Sequence, residues 1–218
     1  MLQLANCLET RTTGQEAAIV ELPQIVPDPS RADEAFPLTA VQQAYVAGRS
    51  GLYPLGRVAA HCYFEYDAKD LDVARAEAAW QRLVQHHGML RAIFLENGAC
   101  QQILQKTPAW RLKCVDLHAS SPEDVEAALA RTRDEMAHQV LFLEHWPLFD
   151  LRVSQYGEGH SRIHISLDNL VVDGWSMFRV LSDWSRLYTD LETPLPDISL
   201  SFRDYVLGEG RIRESASY

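Results

Sequence analysis

The stretch HISLDNLVVDGWSMFRV, residues 164–180, sets Asp168 and Asp173 five residues apart around an apolar run and then enters a helical pattern. Neither regular element puts residues i and i+5 side by side: a helix turns them about 140° apart, and a strand sends them to opposite faces. The stretch therefore reads as a turn, with Asp168 closing a strand and Asp173 opening a helix. In that position Asp173 can accept the backbone N–H of Trp175 or Ser176 and meets the positive end of the helix dipole. Asp168 follows Ile165-Ser166-Leu167 toward burial, where a carboxylate needs an arginine or several N–H donors. A Mg²⁺ site lacks support, since neither a glycine-bearing acidic loop nor an HExxH partner accompanies the pair.

Working outward, LFDLRVSQY, the turn GEGH and SRIHISL form a hairpin whose outgoing strand delivers Asp168. After the turn, GWSMFRVLSDWSRLYTDL places Met177, Val180, Leu181, Trp184, Leu187 and Tyr188 on one helical stripe. TPLPD breaks it, and SFRDYVLGEGRIRESASY reads as a last helix. Nearer the N-terminus, FPLTAVQQAYVAGR (36–49) offers Thr39 as N-cap, Gln42 as its capping-box partner and Gly48 near the end. AAHCYFEYD reads as a strand. KDLDVARAEAAWQRLVQHHG reads as a helix with Leu71, Ala74, Ala78, Trp80, Leu83 and Val84 near helical spacing, stopping at Gly88. MLRAIFLENGACQQIL gives two strands joined at Asn97-Gly98, WRLKCVDL a short strand, and SSPEDVEAALARTRDEMAHQVL a helix opened by Ser120 or Ser121. Strands and helices alternate without a regular βαβ rhythm or a glycine-rich nucleotide loop, which gives an α/β or α+β sandwich in place of a dinucleotide-binding fold. Residues 1–34 end in the proline-marked LPQIVPDPSRADEA and read as a linker. The folded unit spans 35–218, its first element starting at Phe36.

With 30 acidic against 20 basic side chains, the formal charge of −10 repels phosphate backbones, and no basic cluster offsets it. Nucleic acid is excluded as the expected partner. Cys7, Cys62, Cys100 and Cys114 show no CxxC spacing and read as free thiols in a reducing, cytoplasmic compartment. No basic-then-apolar leader appears, and no run approaches the ~18 apolar residues that span a bilayer, so no membrane partner is expected. His86-His87 reads as a helix end, since adjacent side chains on a helix point about 100° apart and histidine complements the dipole there. Ser154, Ser166 and Ser176 lack a GxSxG elbow, and the thiols lack a local activating signature.

FPLTAVQQAYVAGR (36–49), HHGMLRAIF (86–94), WPLFDLR (146–152), DNLVVDGWS (168–176) and SFRDYV (201–206), in this order, resemble the N-terminal half of heterocyclization domains of nonribosomal peptide synthetases. These relatives of condensation domains carry DxxxxD where condensation domains carry HHxxxDG. The resemblance implies one lobe of a chloramphenicol-acetyltransferase-like fold, a mixed sheet flanked by helices, with a second, C-terminal lobe expected to lie outside this sequence. It implies amide formation between a carrier-bound acyl group and carrier-bound Cys, Ser or Thr, then cyclodehydration to a thiazoline or oxazoline. The implied partners are peptidyl or aryl carrier domains, the C-terminal lobe and an adjacent adenylation domain. Phosphopantetheine arrives on the carriers, and no cofactor or metal is bound directly.

Laid on the family's motif, Asp168 and Asp173 are the candidate catalytic residues. Asp168 stands at the first histidine of condensation domains, Asn169 at the catalytic second, Asp173 at the aspartate and Gly174 at the glycine. An asparagine cannot serve as general base, so the reaction must rely on positioning, with any proton shuttle supplied elsewhere. Arg91, Asn169, Gly174 and Ser176 support the motif. The resemblance implies a pair between Asp173 and Arg91, expected to be buried or half-buried and to tie the turn to the sheet, while Asp168 borders the substrate tunnel. Two other readings stand beside this one: a docking module without turnover, and a stand-alone acyltransferase of the same fold, which would need a histidine at position 169.

Overall fold

In the computed structural model, residues 24–51, 54 and 56–214 are described, and seven strands and five α-helices build two sheets. A four-stranded mixed sheet runs in the order β2 (His61–Lys69), β7 (His160–Asp168), β6 (Phe149–Tyr156), β5 (Lys113–Asp116), antiparallel except for the β5–β6 pair. A small antiparallel sheet holds β1 (Phe36–Pro37), β4 (Cys100–Ile103) and β3 (Ala92–Leu95). The helices are α1 (Ala40–Arg49), α2 (Val73–His86), α3 (Pro122–Ala137), α4 (Gly174–Thr189) and α5 (Phe202–Glu214). This is the mixed sheet flanked by helices that the family resemblance implies.

Alternation along β7 sorts the two faces of the large sheet. Ile163, Ile165 and Leu167 point into the main core with Trp80, Leu83, Phe149, Met177, Val180 and Leu187. Trp80 meets the rings of Phe149 and Trp184 edge-on, each at 5.3 Å, and so pins α2 and α4 to the sheet. Arg162, His164, Ser166 and Asp168 take the other face. There α3 lies over a polar lattice in which its Arg133 binds Glu65 of β2 and its Glu135 binds Arg152 of β6.

Local chemistry sets most boundaries. Thr39 and Gln42 form the reciprocal capping box of α1, Asp72 caps α2 and Ser121 caps α3. Gly48 falls inside the last turn of α1, which continues through Arg49. The Asn97-Gly98 turn closes β3–β4 through three consecutive residues with positive φ: Glu96, Asn97 and Gly98. The GEGH turn joins β6 and β7. Two expectations change. The buried stripe of α2 is Ala76, Ala79, Trp80, Leu83 and Val84, while Ala74 faces solvent. Gly88–Arg91 is a 3-10 turn, and the strand starts only at Ala92, so Arg91 does not project from a sheet.

Of the segment read as a linker, residues 1–23 lie outside the described residues. Residues 24–34 run along α5, where the Asp28 N–H donates to Asp204 and Arg203 binds Glu34. Cys62, Cys100 and Cys114 are free thiols, and Cys7 lies outside the described residues.

Candidate functional site: the turn between β7 and α4

The turn 168–173 is held in place by its own apolar residues. Leu170, Val171 and Val172 are all buried in the main core, so the two flanking aspartates are placed by hydrophobic anchoring. The Asp168 carbonyl accepts N–H bonds from Val171 and Val172, which closes the turn. Gln42, itself buried, reaches from α1 to the Leu170 carbonyl at 2.8 Å and exchanges two hydrogen bonds with Gln101 of β4. The turn is therefore tied to both sheets.

Asp168 is 1% exposed, and its two oxygens are both engaged. Oδ1 accepts the Leu170 N–H at 3.0 Å, and Oδ2 receives the guanidinium of Arg49, which also donates to the Leu141 carbonyl at 2.9 Å. An arginine together with an N–H donor is the compensation that burial of this carboxylate demands. Arg49 closes α1, inside the block 36–49, yet nothing local connects it to a residue 119 positions away. The demand for an arginine was readable at Asp168; which arginine met it was not.

Asp173 is exposed and caps α4. Its Oδ1 accepts the Ser176 N–H at 2.7 Å, and that bond is the main reason its carboxyl lies below the ordinary range. Ser176 thus takes part through its backbone. An added Cβ at Gly174 would meet nothing within 4 Å, so local space does not demand glycine there. The expected pair between Asp173 and Arg91 is not formed. Arg91 instead donates to the carbonyls of Val84, Gln85 and Leu104, with Nη1 2.7 Å from Val84 O and Nε 3.0 Å from Leu104 O. Val84 and Gln85 lie in the last turn of α2, whose carbonyls have no intrahelical partner. Arg91 therefore caps a helix C-terminus, and the buried ion pair of the motif belongs to Asp168 and Arg49.

Asn169 is half-buried. Its N–H donates to the Ala60 carbonyl at 2.9 Å, and its Oδ1 faces the Cys62 thiol at 3.6 Å. Of the two adjacent histidines, His87 turns to Asp183, a buried carboxylate on the apolar stripe of α4 that also binds Arg179. Among the described residues no group of three or more His, Cys, Asp or Glu side chains is placed to hold a metal ion. No helix among them is long and apolar enough to cross a membrane.

Comparison with known proteins bears on this geometry directly. The family described as Condensation domain matches residues 53–218. Pyochelin synthetase PchF of Pseudomonas aeruginosa (strain UCBPP-PA14) is 37% identical over 195 residues, covering 88% of this chain and 10% of that protein. Phenyloxazoline synthase MbtB of Mycolicibacterium paratuberculosis is 34% identical over 179 residues, 82% of this chain and 15% of that protein. The chain thus spans a small part of the curated relatives it matches. Among solved structures, the EpoB NRPS cyclization-docking bidomain from Sorangium cellulosum superposes with a TM-score of 0.85 at 34% identity, over 99% of this chain and 41% of that one. Fold, motif order and these matches agree: the chain belongs to the condensation-domain family of nonribosomal peptide synthetases.

Proposed function

We propose that these residues form the N-terminal lobe of a heterocyclization domain, which joins a carrier-bound acyl group to carrier-bound Cys, Ser or Thr and cyclodehydrates the amide to a thiazoline or oxazoline. The observation that carries this reading is the state of the motif turn. Asp168 is buried and consumed by Arg49, and the neighbouring position, where condensation domains place their catalytic histidine, holds Asn169. Such a turn organises a site and supplies no base of its own, which suits a reaction that depends on holding two thioester-linked substrates together. The relatives described as a phenyloxazoline synthase and as a cyclization bidomain support the same choice.

Both substrates reach the site on phosphopantetheine arms, so the partners are carrier domains, an adenylation domain that loads one of them, and the second lobe. Trp175 and Phe178, 84% and 69% exposed on the first turns of α4, offer the second lobe an apolar surface beside the motif. Acyl transfer and loss of water move no electrons, and the reaction as proposed calls on no redox cofactor or metal.

The test is mass spectrometry of the carrier-bound product from an intact synthetase containing this sequence. Supplied with a loaded donor carrier and, in separate runs, acceptor carriers bearing L-cysteine, L-serine or L-threonine, it should give a product one water lighter than the linear amide. Linear amide alone with all three acceptors removes the heterocyclization reading. The 218 residues by themselves should yield neither product, and ring formation from them alone would remove the need for a second lobe.

A further inference from the structure

If position 169 offers no base, the proton that leaves the acceptor amine must go elsewhere, and the structure narrows the choice. Asp168 is tied to Arg49 and to the Leu170 N–H, and Asp173 is an exposed cap spent on the Ser176 N–H. Of the eight histidines, His61 is the one set opposite a motif aspartate in the sheet. His61, the first residue of β2, lies directly across the antiparallel ladder from Asp168, and its predecessor Ala60 takes the Asn169 N–H on its carbonyl. Directly opposed residues share a sheet face, with Cβ atoms about 4.5–5.5 Å apart. His61 therefore stands beside the motif turn on the Asp168 side, while Cys62, one residue on, meets the Asn169 side chain.

The remaining histidines are committed or remote. His164 is fully buried against Tyr63, His87 is paired with Asp183, His86 packs edge-on against His87 at the end of α2, and His145 is exposed beside Phe142. His160 starts β7 at the end opposite Asp168, and His118 and His138 lie beside Asp116 and Asp134. His61 is half-buried and, unlike His87, His118 and His138, forms no ion pair among the described residues. Its Nδ1 lies 3.3 Å from the Ala59 carbonyl oxygen, which can only accept, so in the neutral imidazole the proton sits on Nδ1 and Nε2 is the basic nitrogen. That is the tautomer a general base requires.

We infer that His61, through Nε2, is the proton acceptor of amide formation in this domain, an assignment that rests on the acyl-transfer half of the proposed function. The acceptor amine attacks the donor thioester carbonyl, the C–N bond forms as the C–S bond breaks, and the amine proton passes to Nε2. The departing phosphopantetheine thiolate then takes that proton, leaving a free thiol and a neutral imidazole.

The experiment uses an intact synthetase containing this sequence, with an acetyl-loaded donor carrier and an L-cysteinyl acceptor carrier, and times linear amide and ring separately by rapid quench and mass spectrometry. His61→Gln and His61→Ala, first shown to melt with the wild type, should slow amide formation by about 10²–10⁴-fold, the ordinary contribution of a general base. Added imidazole should restore part of the rate in His61→Ala. A folded variant within about threefold of wild type overturns the assignment, as does a slow folded variant that imidazole does not move. Should neither variant fold, labelling of the wild-type protein by diethyl pyrocarbonate decides. His61 should be modified in the unloaded protein and spared with both loaded carriers docked, and a His61 labelled equally in both states overturns the role. A wild type that makes linear amide and no ring removes heterocyclization alone, and the His61 variants are then read on amide formation.

Discussion

Asp168 and Asp173 bracket a single turn, carry the same side chain, and are used in opposite ways. Asp168 ends a strand whose residues are buried on both faces, so its charge is compensated inside the protein by Arg49 and the Leu170 N–H. Asp173 begins a helix at the surface, where water and one N–H of the first turn suffice. Burial, rather than motif membership, decides what each carboxylate contributes. The largest expected effect lies at the buried end. Asp168→Ala or Arg49→Met should cost about 3–5 kcal/mol in urea unfolding, because removal of either partner strands the other charge. The double mutant should recover part of that loss, and simple additivity would show that the pair is not coupled.

The polar face that carries Asp168 also carries His164, and there the comparison becomes one of pH. Burial pushes the His164 imidazole down to about 4, with Arg162, Arg133 and Arg152 adding to the depression and Glu65 opposing it. Glu65 is itself held at about 2, chiefly by its hydrogen bond from Arg133, so it stays ionised across the window in which His164 titrates. Because the folded value of His164 lies below its unfolded value of about 6.5, its contribution is complete above that pH and is lost as pH falls toward 4. At about 1.4 kcal/mol per pH unit between the two values, the loss is of the order of 3 kcal/mol. Urea midpoints measured from pH 7 to pH 4 should fall in wild type and fall less in His164→Gln. Parallel slopes would place the acid sensitivity elsewhere.

The same contrast explains what the chain reveals before it is folded. Caps, hairpins and the turn itself were legible because their signals are local: Thr39 with Gln42, Asn97-Gly98, and Asp173 three residues from the N–H it accepts. The apolar stripe of α4 was legible for the same reason. Arg49 with Asp168, Gln42 with Gln101 and His61 opposite Asp168 depend on chain segments 119, 59 and 107 positions apart, brought together by packing. Family likeness placed Arg91 on Asp173. The 3-10 turn at Gly88–Arg91 instead aims its guanidinium back at the open carbonyls of α2, a choice governed by backbone geometry that no residue pattern displays.

That last difference yields the smallest effect and the sharpest test of the comparison. Asp173→Ala removes one acceptor from the first turn of α4 and should cost about 1 kcal/mol, the usual value of an N-cap. Arg91→Met uncovers part-buried and exposed carbonyls at the end of α2 and should cost about 1 kcal/mol, the net value of a hydrogen bond that water can partly replace. The two side chains share no hydrogen-bond partner, since Asp173 answers Ser176 while Arg91 answers Val84, Gln85 and Leu104. Their effects on urea unfolding should therefore add to within about 0.5 kcal/mol in the double mutant. A coupling well above that limit would mean the arginine reaches the motif after all, and Asp173 would then rank with Asp168 as a buried, compensated charge. Additivity leaves the two ends of the turn as distinct as the structure draws them: one carboxylate woven into the sheet, the other spent on starting a helix.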